Sequence, residues 1–302
     1  MGGASDEDDL EENTVGLTRT AAAAAAGALA LSAVGVGAAQ AHQGGGKGHG
    51  GGQSVVGLAS GGTALVQLKV RKGVHAGATA GVSGLQGDAK LVGIDHRVQD
   101  GKLYGVGDKG GVYTLDAGSG TAAKVAQLTV GLEGSAFGVD FNPAANALRI
   151  VSDTGQNLRH PFAAPGAQTV ADTPLNSPTA TPPVQGTKGV TGAAYTNNDT
   201  ADSTGTVLYD ISTGTDQLLV QSPANSGALV PVGALGVDAQ GEAGFDILSE
   251  LRDGKAVGAK AWASLTVGGK PGLYEINLVN GSASKVGDLP GGVTDIAVPL
   301  AR

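Results

Sequence analysis

The segment LVGIDHRVQDGKLYGVGDKGGVYTLDAGSGTAAKVAQL, residues Leu91–Leu128, decides the fold. It divides into four short runs, Leu91–His96, Lys102–Gly107, Val112–Leu115 and Thr121–Leu128. Between them lie Gln99-Asp100-Gly101, Asp108-Lys109-Gly110-Gly111 and Asp116–Gly120. Short alternating runs separated by Gly, Asp and Ser clusters are the signature of antiparallel strands joined by tight turns. No helical period of comparable length follows residue 50.

Degraded copies of the unit recur. Its opening Gly93-Ile94-Asp95 returns as Gly138-Val139-Asp140 and Gly244-Phe245-Asp246, more weakly as Gly192-Ala193-Ala194, and as Val293-Thr294-Asp295, where the Gly is lost. The steps between these positions are 45, 54, 52 and 49 residues. A third-strand motif, Val112-Tyr113-Thr114-Leu115, has counterparts in Leu208-Tyr209-Asp210-Ile211 and Leu273-Tyr274-Glu275-Ile276. Several strands per repeat at such a period predict an all-β, five-bladed β-propeller. Six blades or another closed all-β fold are the alternatives.

The ends of the chain complement each other. Residues 293–299 read as a first strand with no hairpin after it. Residues 54–85 read as second to fourth strands with none before them, Ala64–Leu68 occupying the third. A composite blade built from both termini would close the ring and remove two exposed sheet edges.

The composition narrows the function. The 302 residues include 53 Gly and only 3% aromatics, so the blades must pack on aliphatic side chains. The formal charge is −8, of which Asp6, Glu7, Asp8, Asp9, Glu11 and Glu12 against Arg19 supply −5, leaving −3 for the rest. Nothing in that balance grips nucleic acid. The chain has no cysteine, which excludes disulfides, thiolate nucleophiles and Cys-ligated metals.

Three segments follow. Residues 1–41 read as a signal peptide: an Ala-rich apolar stretch after Arg19 ends at Ala39-Gln40-Ala41, which predicts cleavage before His42 and a secreted protein without a permanent membrane anchor. Residues 42–53 read as a Gly/His-rich flexible linker. Residues 54–302 form the propeller, expected to be a monomer. Within it, Thr173–Lys188 reads as a polyproline-like loop, Asn197–Gly205 as a polar insertion and Glu250–Ala259 as a charged loop.

GIDHR, GKLYGVG and VYTLD, then DFNP with LRIVSDTGQNLR, then GAAYTNND, LYDI, GALGVD and GFDI resemble the secreted bacterial family known as domain of unknown function 4394, over nearly all of residues 58–298. The resemblance implies a secreted β domain and brings no activity or catalytic residues. Some members carry a superoxide dismutase label. The His complement speaks against that chemistry, because two of five lie in the tail and His75, His96 and His160 are not clustered.

Asp95, Asp140, Asp246 and Asp295 are the candidate metal ligands. On first strands lining the axis they would form a ring, on the same face as Asp108 and Asp153, suited to a hard cation such as Ca²⁺. A repeated Asp serves equally well as an acceptor for backbone amides of the adjoining blade. The second candidate constellation, Arg149, Asp153, Gln156, Asn157 and Arg159, departs from the repeat by its polarity. It could hold a carboxylate or sugar ligand, or its Arg residues could pair with the acidic ring. No Ser-His-Asp arrangement can be placed, since no G-x-S-x-G occurs and His96 follows Asp95 directly. His160 reads as a surface residue. Two functions stand: a non-catalytic extracellular binding or scaffold module for a small molecule, glycan or protein, with or without a structural cation, and a metal-dependent, hydrolase-like enzyme on the Asp-bearing face.

Overall fold

The computed structural model describes residues 52–162, 164–180, 182–199 and 204–300. The segment read as a signal peptide and nearly all of the Gly/His-rich stretch read as a linker lie outside them, as do residues 200–203 of the expected polar insertion.

The chain forms a five-bladed β-propeller. β1 (Gln53–Ala59), β2 (Ala64–Val70) and β3 (Val74–Gly81) open it. Blade 2 is β4 (Leu91–His96), β5 (Leu103–Gly107), β6 (Gly111–Leu115) and β7 (Ala122–Gln127). Blade 3 is β8 (Phe137–Asn142), β9 (Ala147–Ser152), β10 (Asn157–Pro161) and a two-residue β11 (Val170–Ala171), followed by the small hairpin β12 (Asn176–Ser177) and β13 (Val184–Gln185). Blade 4 is β14 (Val190–Tyr195), β15 (Leu208–Ser212), β16 (Gln217–Gln221) and β17 (Leu229–Ala234). Blade 5 is β18 (Ala239–Arg252), β19 (Lys255–Val267), β20 (Lys270–Ile276) and β21 (Ala283–Asp288). Finally β22 (Asp295–Ala297) pairs antiparallel with β1, completing blade 1 in the order β22-β1-β2-β3. The composite closure is thus present, with Ala64–Leu68 in the third strand as expected.

The inner strands β22, β4, β8, β14 and β18 touch in cyclic order. Five apolar clusters fill the five gaps between consecutive blades. The gap between blades 2 and 3 is built on Val106, Val139, Ile150 and Leu158, that between blades 5 and 1 on Leu68, Trp262, Leu273 and Ile296. Sister blades thus cover each other's faces, with Val, Leu, Ile and Ala doing most of it. Close approach at the axis demands glycine. A Cβ on Gly93 would lie 2.3 Å from Val139 Cγ2, and one on Gly244 would lie 2.5 Å from Asp295 Cα.

Four expectations need correction. Leu208–Ile211 belongs to the second strand of blade 4, not the third. Leu208-Tyr209 is the counterpart of Leu103-Tyr104, and second and third strands share one alternation, so the motif alone does not separate them. Glu250–Ala259 is not a loop: β18 and β19 continue past the blade to a two-residue turn at Asp253-Gly254. Both turn residues have positive φ, 52° and 74°, as a type I′ hairpin requires. Thr173–Lys188 is not purely polyproline-like, since it carries β12 and β13. His160 is buried, its Nδ1 3.0 Å from Thr169 Oγ1 and its ring edge-on to Phe162. β11 stops after pairing with Leu158 and Arg159 because the next outward-facing position of β10 is Pro161, which has no N–H to donate.

Candidate functional site

The axial aspartates come together, though not all at one level. Asp95, Asp140 and Asp246 each place a carboxylate oxygen within 4.8 Å of the others. Their second-strand partners show the register. Tyr104, Arg149 and, in blade 4, Tyr209 each stand three residues before the end of the second strand, opposite Asp95, Asp140 and Ala194. In the composite blade that depth belongs to Val56, opposite Ala297. Asp295 pairs with Leu58 instead, two residues out of step, at the depth of Gly93. The lost Gly in Val293-Thr294-Asp295 therefore signals a shifted register rather than a degraded copy.

All four carboxylates are buried and hydrogen-bonded to backbone amides. Each position at the common depth is followed by an N–H pointing into the ring: His96, Phe141, Tyr195, Ile247 and Val298. Three aspartates accept all five. Asp95 takes Phe141 of the next blade at 2.8 Å, Asp140 takes Tyr195 at 3.2 Å, and Asp246 takes Val298 at 2.5 Å. Where the preceding blade has alanine, at Ala194 and Ala297, the amide is taken by the blade's own aspartate. Ile247 donates to Asp246 and His96 to Asp95, both at 2.6 Å. One step along the axis, Asp295 accepts from Ile94 at 2.7 Å and Ile296 at 2.9 Å. The ring of acids is thus a set of latches between blades, satisfying donors that burial would otherwise orphan.

Burial, and then mutual repulsion, raises Asp95 and Asp140 well above the usual carboxylate range. Burial raises Asp295 likewise, and pushes Asp246 up to about 7 against the pull of the Val298 and Ile247 amides. The set would suit a hard cation by charge and by oxygen chemistry. Every member already accepts at least one amide. Asp108 and Asp153 do not share this level. They sit at the turns between second and third strands, while Asp95 is the fifth residue of β4, so the expectation of one common face is corrected. The strand starts earlier than its Gly-x-Asp marker.

The polar constellation of blade 3 splits. Asp153 accepts from Ser135 N (2.9 Å) and Oγ (2.6 Å), and Gln156 bonds Glu133 N and Gly131 O, so both pin the loop ahead of β8. Arg149, Asn157 and Arg159 turn instead toward blade 4. Arg149, only 2% exposed, donates through Nη1 to Asn157 Oδ1 (2.7 Å) and Asp172 Oδ2 (2.8 Å), through Nη2 to Asn225 Oδ1 (2.7 Å) and through Nε to Tyr195 Oη (3.3 Å). Burial works against its charge, but Tyr195 and Asp172 outweigh it and hold its pKa above the ordinary value. Arg159 lies directly across the β9–β10 ladder from Arg149 and binds Asp172 through Nε and Nη2, both at 3.1 Å. Asp172 therefore bridges two guanidiniums that would otherwise repel. The Arg residues pair with Asp172, not with the acidic ring. Behind them Asp210 is wholly buried, with neither carboxylate oxygen hydrogen-bonded, and burial pushes it up to about 8.

The sequence reading missed Asp172, Asp210 and Asn225. Asp172 and Asn225 lie in connections whose fold-back no spacing reveals. Asp210 had a signal: it occupies a strand position that packs inward in blade 4.

A cavity of about 160 Å³ opens beside Arg149 and Arg159, bordered also by Asn142, Tyr195 and Asn225. His96 contributes nothing comparable. Its ring nitrogens are buried without partners, and burial lowers its pKa to about 4.

The chain belongs to the family Domain of unknown function (DUF4394), which it matches over residues 64–297. No curated protein matches this DUF4394 chain. Among solved structures it is similar to a protein of unknown function from Bacteroides thetaiotaomicron, at 12% identity and a TM-score of 0.46, covering 83% of this chain and 65% of that one. It is also similar to an auxiliary nutrient binding protein from Bacteroides ovatus (10%, TM-score 0.38, 59% and 46% covered) and to Sqt1 of Saccharomyces cerevisiae (12%, TM-score 0.39, 78% and 62% covered). The chain spans less than two thirds of the length of each of these three.

Proposed function

We propose that this DUF4394 protein is an exported, non-catalytic binding or scaffold module. One observation carries the reading. The axial carboxylates, the only candidate metal cluster among the described residues, are committed to five inward-pointing amides and so close the ring. A group held this way has a structural task that needs neither metal nor substrate. Export rests on the Ala39-Gln40-Ala41 cleavage signal.

The test is metal analysis and thermal unfolding of the purified mature chain, with and without chelator and added Ca²⁺. Absence of stoichiometric metal and an unchanged melting temperature are expected. A second reading, a metal-dependent hydrolase, draws on the 4.8 Å grouping of Asp95, Asp140 and Asp246. One bound metal per chain, with a fall in melting temperature on chelation, would overturn the claim that the axial carboxylates need no metal, and hydrolytic turnover lost on chelation would favour the second reading over the first. N-terminal sequencing of protein from the culture medium checks export: a start at His42 is expected, and an intact leader would overturn it.

A further inference from the structure

Among the described residues, the gap between blades 3 and 4 sets a buried guanidinium, Arg149, among Asn157, Asp172, Tyr195, Asp210 and Gln221 beside its apolar cluster, whereas the Arg97–Asp100–Tyr104–Asn146 network between blades 2 and 3 is partly exposed. A polar network buried this deeply costs packing, and a repeat scaffold keeps such departures where they serve something. We propose that the cavity beside Arg149 and Arg159 is a binding site for a carboxylate, either a small organic acid or the acid terminus of a larger ligand. The proposal deepens the binding-module reading and rests on it.

Charge comes first. Two guanidiniums face one carboxylate, Asp172, at 2.8 and 3.1 Å. That leaves one positive charge uncompensated beside the cavity. Asp140 and Asp210, the other acids toward this gap, are both pushed toward the neutral carboxyl by burial, which limits how far they cancel it.

The hydrogen-bond inventory is more selective. A guanidinium carries about five N–H donors and an amide group about two. Arg149 Nη2 spends one of its two on Asn225 Oδ1. Arg159 spends Nε and one Nη2 hydrogen on Asp172 and no described residue accepts from its Nη1. Most oxygen atoms of the wall side chains are engaged: Asn142 Oδ1 by the amides of Ala144 and Ala145 at 3.0 and 2.9 Å, Tyr195 Oη by Arg149 Nε, and Asn225 Oδ1 by Arg149 with one lone pair left over. What the wall still offers is therefore mainly donors. A hydroxyl-rich sugar needs acceptors as well as donors, and finds few here. A planar anion with acceptor oxygens only is the complement.

Size agrees. A cavity of about 160 Å³ leaves room for a two- or three-carbon acid. A net single positive charge matches a monoanion better than a phosphate dianion.

The test is calorimetric titration of the whole mature chain with sodium lactate at constant ionic strength, with lactamide and inorganic phosphate as comparison probes. Saturable one-to-one binding of lactate is expected, with none of lactamide and weaker binding of phosphate. Arg159→Gln should weaken lactate at least tenfold. Asn225→Asp keeps the acceptor for Arg149 but neutralises the extra charge, so it should abolish binding in a protein that remains folded by circular dichroism. Lactate heats no different from those of sodium chloride, tighter binding of phosphate, or undiminished affinity in folded Asn225→Asp would each overturn the carboxylate site. Any of these leaves the axial reading untouched, because that one is decided by metal content and chelation.

Discussion

Asp95 of blade 2 accepts a hydrogen bond from the backbone N–H of Phe141 in blade 3, 2.8 Å away, while its other oxygen takes the amide of its own neighbour His96. One side chain thereby satisfies two amides that face the axis of the propeller. The same division occurs at Asp246, which serves Val298 across the blade gap and Ile247 in its own strand. Doubling up at these two positions lets three aspartates close a ring of five blades.

Asp95→Ala leaves two buried donors unsatisfied. At about 1–3 kcal/mol for each orphaned group, the loss should reach roughly 2–6 kcal/mol, read from urea unfolding. Asp95→Asn keeps an acceptor oxygen and removes a negative charge from a crowded site, so it should stay much closer to wild type. Equal destabilisation by both variants would refute the latch.

Stability should fall as pH rises. Unfolded aspartate titrates at about 3.9. Burial raises Asp95, Asp140 and Asp295 well above this in the fold, Asp246 to about 7 and Asp210 to about 8. Between about pH 4 and 8 the folded chain thus holds more protons than the unfolded one, and the slope of stability against pH is negative. Surface acids such as Asp116, lowered by the Ser119 amide and hydroxyl, act oppositely and only in stronger acid. The melting temperature should be highest in the mildly acidic range, and Asp210→Asn should flatten the alkaline part of the decline. A melting temperature that climbs from pH 5 to 8 would contradict the assignment.

Gly244→Ala should be severely destabilising. Its Cβ would meet Asp295 Cα at 2.5 Å and Ile296 N at 2.6 Å, and backbone cannot step aside as a side chain can. Gly61→Ala, whose Cβ meets nothing within 4 Å, is the comparison, its cost coming only from a φ of 63°. Comparable melting temperatures for the two variants would rule out close blade approach as the reason for the axial glycines.

Removing residues 293–302 deletes β22 and the latch on Asp246. Val293, Ile296 and Val298 are buried against blade 5 and the rest of blade 1. At about 1.5–3 kcal/mol for each buried aliphatic side chain, the loss is comparable with the whole stability of a domain. The truncated chain is expected to lose its cooperative unfolding transition. A truncated chain that melts like the full one would show that the composite blade does not close the ring.

Most of the blade architecture was legible in residues 91–128, since strand alternation and turn chemistry act over two to six neighbours. The composite blade was legible too, because each terminus showed half of a unit. Within the candidate sites the residue types were legible and their partners were not. Arg149 and Arg159 stood out by their polarity, but the Asp172 that bridges them and the Asn225 that orients Arg149 lie 23 and 76 residues away from Arg149.

Sequence by itself determined most of the strands, the turns of the blade 2 unit, the repeat and the closure by the two ends, because each is set by side chains that are near in the chain or by a pattern that repeats. Tertiary structure alone decided that Asp295 stands two residues out of register with Asp95, that Asp95 and Asp246 take the amides of their own neighbours His96 and Ile247 where the preceding blade has alanine at that depth, and that Asp210 is buried without a partner. These depend on how deeply one sheet slides against the next. That depth is set by the packing of five blades around a common axis, which no local run of residues encodes.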